Sequence, residues 1–355
     1  MKPFIAVLSL AVYHRDLQGY EADMIDTQLL GLGTSPGKPY FMLGGFADEA
    51  ADSIEDQVAA TKDLGWKYIE ARSVNGINIH DISDREFMHM QRILEKNDIR
   101  VSCFGSTIAN WGSSVLEDFS ETMKTVKRAI ERMKCLDVKL IRIMSYAVLI
   151  DAEGNPLPDQ CATLRFEHLR AICEEFLAQD MIPVHENCFN YGGMSISHTQ
   201  ELLAAVPSLK LVFDTGNPCL TQDYDKPAPR PYQDAWSTWL ALKTNVVHLH
   251  VKDGWHDKTT DKEIYTYPGE GPCHVRDILE DCKHSDYGGF LSIEPHMAVV
   301  FHNSSVRNSD EMRRSVYREY GKRLEKMLWS IGFEIREGVA YGAMHEPKNR
   351  LSQAR

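Results

Sequence analysis

The sequence carries no excess of positive charge, no apolar run of membrane length, no paired-cysteine motif and no glycine fingerprint for a dinucleotide. Lys and Arg number 39 against 51 Asp and Glu, a formal net charge of −12. Broad contact with nucleic acid or an anionic membrane surface needs a basic face, so both are excluded as general partners, although a small local patch stays open. No stretch of about 18 or more apolar residues occurs, so no transmembrane helix is expected. The eight cysteines form neither a CxxC pair nor a short disulfide framework. They read as reduced thiols in a cytoplasm-like compartment. The N-terminal "MKPFIAVLSLAV" has the outline of a secretory signal, but no clean small-x-small site follows at once, and we read it as a retained segment.

What is present is a regular alternation. Apolar runs of four to seven residues alternate with longer amphipathic stretches from residue 41 onward. Eight strand candidates result: 41–46, 67–71, 100–104, 139–144, 182–186, 210–214, 246–251 and 290–294. The first helix candidate has Ser53 as its N-cap, Ile54, Val58 and Leu64 as a partial stripe, and Gly65 as a stop. The last, from Ser309, carries Met312, Val316, Tyr320, Leu324, Met327 and Ile331 on one face. Such alternation predicts an α/β fold with a parallel sheet, and eight repeats predict closure into a single (β/α)8 TIM barrel. An open doubly wound sheet is the competitor, weakened because no GxGxxG follows the first strand. Residues 1–40 would be an N-terminal extension, packed outside or serving a homo-oligomer contact. Residues 41–332 would be the barrel, and 333–355 a polar tail. Two long loops, 216–232 and 252–272, follow strands and so belong to the catalytic face.

The stretch "VHENCFNYGG" (184–193) ends a buried run in acid and amide groups. A buried carboxylate is costly without a cation or hydrogen bonds. Glu186 is not alone: the next three strand candidates end in Asp214 ("VFDTGN"), His250 ("HLHVKD") and Glu294 ("SIEPH"). Equivalent strand ends converge at the mouth of a barrel. Three carboxylates cannot sit together ionised without a cation. Three oxygen donors and an imidazole suit Mn²⁺, which ranks first, or Mg²⁺, Co²⁺ or Zn²⁺. Taken singly, each of these residues has a bland reading as a cap, a loop residue or a core histidine; the joint pattern is what points to a metal.

These motifs, together with "PGEG" at 268–271, resemble the xylose-isomerase-like barrels known as sugar phosphate isomerases/epimerases, over roughly residues 40–331. The resemblance implies one divalent cation held by the four strand-end residues, with Glu186 and Glu294 also acting as proton-transfer groups. Ketose epimerases of that family have a glutamate where this chain has Gly192, a histidine at Asn217 and an arginine at His256. The metal centre is kept and the substrate shell is rebuilt.

The chemistry expected is abstraction of a proton next to a carbonyl through a metal-stabilised enediolate, giving isomerisation or epimerisation of a sugar, keto-sugar or polyol. If a β-substituent leaves instead, the same start gives elimination: an inosose-type dehydratase, or a deglycosidase of 3-keto-glycosides or C-glycosides. His296, two beyond Glu294, and His185, beside Glu186, are further acid/base candidates. Neighbours on a strand face opposite ways, which turns His185 toward the helices unless the strand has ended. Lys252, Asn217, His256, Trp111 and Tyr191 are candidates for binding substrate, with packing roles as the alternative. An abasic-site endonuclease shares the barrel, but it resembles a three-zinc site with more histidines and must bind an anionic duplex. A non-catalytic sugar-binding module is the remaining reading, against which both glutamates are retained.

Overall fold

The computed structural model describes residues 39–284, 287–300 and 303–342. The N-terminal extension lies outside the described residues except for Pro39 and Tyr40, and residues 343–355 lie outside as well.

Eight strands make the inner wall: β1 (Pro39–Gly45), β2 (Tyr68–Ala71), β3 (Arg100–Gly105), β4 (Leu140–Ile143), β5 (Ile182–Glu186), β6 (Lys210–Asp214), β7 (Val246–Val251) and β8 (Gly289–Ile293). From β2 each pairs in parallel with the next, and β8 pairs with β1. The remaining seam is between β1 and β2. There Gly44 comes so near that a Cβ on it would lie 2.9 Å from the Tyr68 carbonyl oxygen. Each strand is followed by a helix: α1 (Ile54–Asp63), α2 (Asp84–Asn97), α3 (Phe119–Leu136), α4 (Ala162–Leu177), α5 (Ile196–Ala205), α6 (Ala235–Leu242), α7 (Val275–Cys282) and α8 (Asp310–Ser330). This is the TIM barrel read from the alternation, with every strand end within two residues of the expected one.

The helices start where side chains satisfy their first amides. Ser53 accepts from the Asp56 amide, as the sequence predicts, and Ser83 with Glu86 forms a full capping box. The face of α8 differs from the expected stripe. Tyr317, Tyr320, Leu324 and Leu328 are buried, while Met312 is half exposed. Gly321 sets that face: a Cβ on it would lie 2.6 Å from Leu64, so the helix packs closely there.

The strands are buried on both faces, so period two separates two cores. Leu211 and Phe213 face the helical layer, where the large core lies. Cys103, Leu140, Val184, Val212 and Phe290 fill the barrel interior. Leu140 and Phe290, with Met42, Tyr68, Leu94 and Leu136, also line a cleft of about 670 Å³ at the end where the strands begin.

Two stretches are more ordered than their sequence suggested. Within 252–272, Asp253–Asp257 and Lys262–Thr266 form an antiparallel hairpin. Its alternation of Ile264, Tyr265 and Thr266 suits a strand, with Asp261 at φ 53° in the turn. The polar stretch after residue 332 begins with a second hairpin, β9 (Phe333–Arg336) and β10 (Val339–Gly342), and β10 pairs antiparallel with β1. Phe333, with ring centroids 5.3 Å from Tyr40 and 5.0 Å from Phe41, anchors it. Among the described residues no helix is long and apolar enough to cross a membrane.

Candidate metal centre

Period two carries the site. The inward residues on β5 are Val184 then Glu186; on β6, Val212 then Asp214; on β7, His248 then His250 and, one step on, Lys252; on β8, Phe290, Ser292 and then Glu294. Apolar residues fill the barrel, and polar ones crown it. The donor atoms of Glu186, Asp214, His250 and Glu294 all lie within 4.8 Å of one another, and all four residues are buried. His250 Nδ1 is 3.4 Å from Glu186 Oε1, 3.8 Å from Glu294 Oε2 and 4.0 Å from Asp214 Oδ2. That nitrogen is buried and has no hydrogen-bond partner. Donors bonded to one ion at roughly 2.1 Å lie about 3 to 4.2 Å apart, and the three distances from His250 Nδ1 fall in that range, so the set suits a divalent cation.

Each of the four candidate ligands is held from behind. Glu70, on β2, accepts from His248 Nε2 at 2.7 Å and from His250 Nε2, 3.1 Å from both its oxygens. This leaves Nδ1 for the centre, the arrangement by which a carboxylate fixes a ligating imidazole. Asp214 Oδ1 accepts the Gly216 and Asn217 amides at 2.8 Å each. Arg142 donates to Glu186 Oε2 at 3.1 Å, and Asn217 Nδ2 to its Oε1 at 3.3 Å. Arg72 donates to Glu294 Oε1 at 3.0 Å and to both oxygens of Asp48 at 2.9 Å. Lys252 Nζ lies 2.9 Å from Asp214 Oδ2 and 3.0 Å from Glu294 Oε2. The Phe46 ring sits between the two guanidinium groups, 4.3 Å from that of Arg72 and 5.3 Å from that of Arg142.

The charges follow from this crowding. Burial pushes Asp214 up to about 7 against the pull of Lys252. Burial opposes the charged form of His250 too, but Glu70 and Glu186 outweigh it and push it up to about 10. For Glu186 burial is outweighed by Arg142 and His250, which hold it down to about 2. For Glu294 it is outweighed by Lys252, His296 and Arg72, which keep it well below the usual carboxylate range.

The other candidates divide. His296 reaches the site: its Nδ1 is 2.8 Å from Glu49 Oε1, its own amide donates to Glu49 Oε2 at 2.8 Å, and its Nε2 is 3.6 Å from Glu294 Oε1. It holds this position at φ 52°, unusual for a residue other than glycine. Asn217 and Lys252 join the cluster. His185 lies on the outer face of β5, 3.0 Å from Ser145 Oγ and from Asn190 Oδ1, and burial pushes it down to about 4. The structure does not bring it to the ligands. Tyr191 also sits outside, buried against Phe166 with its hydroxyl on Glu201. His256 is on the first hairpin, stacked on Tyr232 and 3.2 Å from Asp261. Trp111 is exposed on the loop after β3.

Sequence reasoning missed Glu49, Glu70, Arg72, Arg142 and His248, as well as Tyr265, whose ring edge meets His296. A signal was there. Arg142 interrupts "KLIRIMSY" and Glu70 interrupts "YIEARS", and a charge inside a buried strand needs a partner.

Comparison with known proteins agrees with the fold. Residues 58–316 match the xylose isomerase-like TIM barrel family, and the chain belongs to it. No curated protein matches the chain. Among solved structures, the D-psicose 3-epimerase of Clostridium cellulolyticum, determined with D-tagatose, is similar at TM-score 0.58 and 16% identity, covering 82% of this chain and 99% of its own. The probable 3-DHS dehydratase AsbF of Bacillus anthracis gives 0.57 and 16%, covering 81% and 98%. A xylose isomerase-like protein of Mycobacterium smegmatis in complex with magnesium gives 0.56 and 13%, covering 79% and 97%. At such identities these likenesses speak for the fold. The family and these neighbours are mostly enzymes.

Proposed function

We propose that this protein is a divalent-metal-dependent isomerase or epimerase that moves the proton next to a carbonyl in a sugar, keto-sugar or polyol. The observation that carries the reading is the convergence of Glu186, Asp214, His250 and Glu294 on one point, with the buried Nδ1 of His250 unpartnered there. These four would hold the cation, with Mn²⁺ ranked first for this donor set. When bound, the ion supplies stabilisation of the negative charge that develops on the carbonyl oxygen.

The protein's own groups handle the proton. Glu186 and Glu294 are ionised and stand on different staves of the mouth, which suits removal on one face and return from another. His296 is oriented by Glu49 and can exchange a proton at Nε2 beside Glu294. Lys252 and Asn217, which already contact the cluster's carboxylates, would be the polar groups to meet a substrate oxygen. The epimerase with D-tagatose among the structural neighbours supports a sugar as substrate.

Elimination is the second reading, favoured by the inequality of the two glutamates. Glu294 is boxed by Arg72 and Lys252 with an imidazole alongside, while Glu186 has Arg142 and Asn217. One base and one distinct acid are what a lyase needs.

The test is incubation of the Mn²⁺-loaded protein in D₂O with neutral keto-sugars, 3-keto-glycosides and inososes, read by NMR. Deuterium entering next to the carbonyl supports proton transfer, and absence of exchange with all of them overturns it. Release of water or an aglycone with a new enone absorbance selects the lyase.

A further inference from the structure

The "DTG" of 214–216 and the "HVKD" of 250–253 meet at Lys252. Its ammonium lies 2.9 Å from Asp214 Oδ2 and 3.0 Å from Glu294 Oε2. These are the same two oxygens that face His250 Nδ1 across the centre. Two of the four donors for a dication are therefore already engaged by a cation belonging to the chain.

The position is built. The Thr215 hydroxyl donates to the Lys252 carbonyl at 2.6 Å and accepts the Lys252 amide at 3.0 Å, which pins that backbone. Gly216 leaves room for the stem, since a Cβ there would lie 2.7 Å from Lys252 Cγ. The "DTG" of 214–216 thus supplies a ligand, a clamp and a space, all directed at one lysine. The lysine side chain is 4% exposed, so water does little to screen its pairing with the carboxylates.

We propose that Lys252 is the resident counter-ion of the metal site, so that binding of a divalent ion is an exchange in which the ammonium gives up Asp214 and Glu294. The physical argument is one of competition. Without the ion, three buried carboxylates need positive charge and Lys252 provides part of it. With the ion, the ammonium breaks both pairs, because staying beside a dication would carry a Coulombic cost. Losing those pairs lowers metal affinity, while having them stabilises the empty protein. Metal binding is thereby kept reversible in a cluster whose acidity would otherwise hold the ion very tightly.

The experiment uses the full chain stripped with chelator and titrated with MnCl₂ by calorimetry, without substrate. Lys252→Met keeps the length and removes the charge. It should bind Mn²⁺ at least tenfold more tightly than the parent, and its metal-free form should melt lower. Mn²⁺ affinity equal to or weaker than that of the parent overturns the exchange, as does failure of both proteins to bind the ion. If the methionine variant does not fold, Lys252→Gln is read against the same two outcomes. Since neither measurement involves turnover, the result stands apart from which reaction the site performs.

Discussion

Glu70→Gln is the change that most directly tests how the metal centre is organised. It alters one atom's chemistry and almost no volume. In the native arrangement the two carboxylate oxygens accept from two imidazoles, His248 at 2.7 Å and His250 at 3.1 Å. An amide offers one acceptor and one donor group, so one imidazole must face an N–H. Once the ion has displaced the Nδ1 proton, His250 keeps the other on Nε2 against Glu70. Facing an N–H, it would hold its remaining proton on Nδ1 instead, the atom aimed at Glu186, Asp214 and Glu294. A protonated nitrogen has no lone pair for a metal. Losing the carboxylate behind a ligating histidine costs about 10- to 100-fold in metal affinity, or about 1.4 to 2.7 kcal/mol. The metal-free protein also loses a buried charge-assisted hydrogen bond, at about 1.5–3 kcal/mol. Titration with Mn²⁺ should show the dissociation constant rising by one to two orders of magnitude, and the rise in melting temperature on metal addition should shrink. A dissociation constant within twofold of the parent would refute the tautomer argument.

Glu294→Gln should reduce deuterium exchange by about 100-fold or more, in the range expected for a lost acid/base group, and should also weaken Mn²⁺ binding; near-parental exchange removes Glu294 from the mechanism. With Asp214 pushed up to about 7 by burial, and His250 to about 10 by Glu70 and Glu186 against burial, both carry protons in the metal-free protein near neutrality. The ion must displace them, so affinity rises with pH, more steeply below 7 than above, and calorimetry in buffers of different ionisation enthalpy should register proton release. His185 is held neutral by burial, its value pushed down to about 4, whereas the unfolded chain takes up its proton below about 6.5. Its contribution to stability is therefore present above 6.5 and lost as pH falls from 6.5 to 4, by about 3 kcal/mol; a His185→Gln protein whose stability falls as steeply over that window contradicts this. Phe333→Ala should cost about 3 to 5 kcal/mol by loosening the hairpin from β1, and an unchanged urea midpoint would show that the hairpin is dispensable.

The barrel was legible because its strands are buried on both faces and so read as short continuous apolar runs. The four candidate ligands were legible because each ends such a run. What escaped was whatever depends on contacts between distant strands. Glu70 is 180 residues from His250 in sequence, and no local pattern links an acid on β2 to an imidazole on β7. His185 lies outward, as the alternation of strand residues requires, while Tyr191 shows that an aromatic beside a glycine turn can serve packing. The C-terminal hairpin escaped because its partner edge lies at the opposite end of the chain, and a polar four-residue strand carries little periodicity of its own.

That hairpin has a consequence for synthesis. The opening stave is translated first, yet its outer border is covered by residues 333–342, which leave the ribosome some three hundred residues later. Through all that interval the nascent chain carries a bare, hydrogen-bond-hungry flank beside Tyr40 and Phe41, able to pair with a neighbouring copy. Completion of the cylinder thus waits on its final ribbon, and premature termination just upstream should yield a species that sticks to itself rather than a slightly shorter protein.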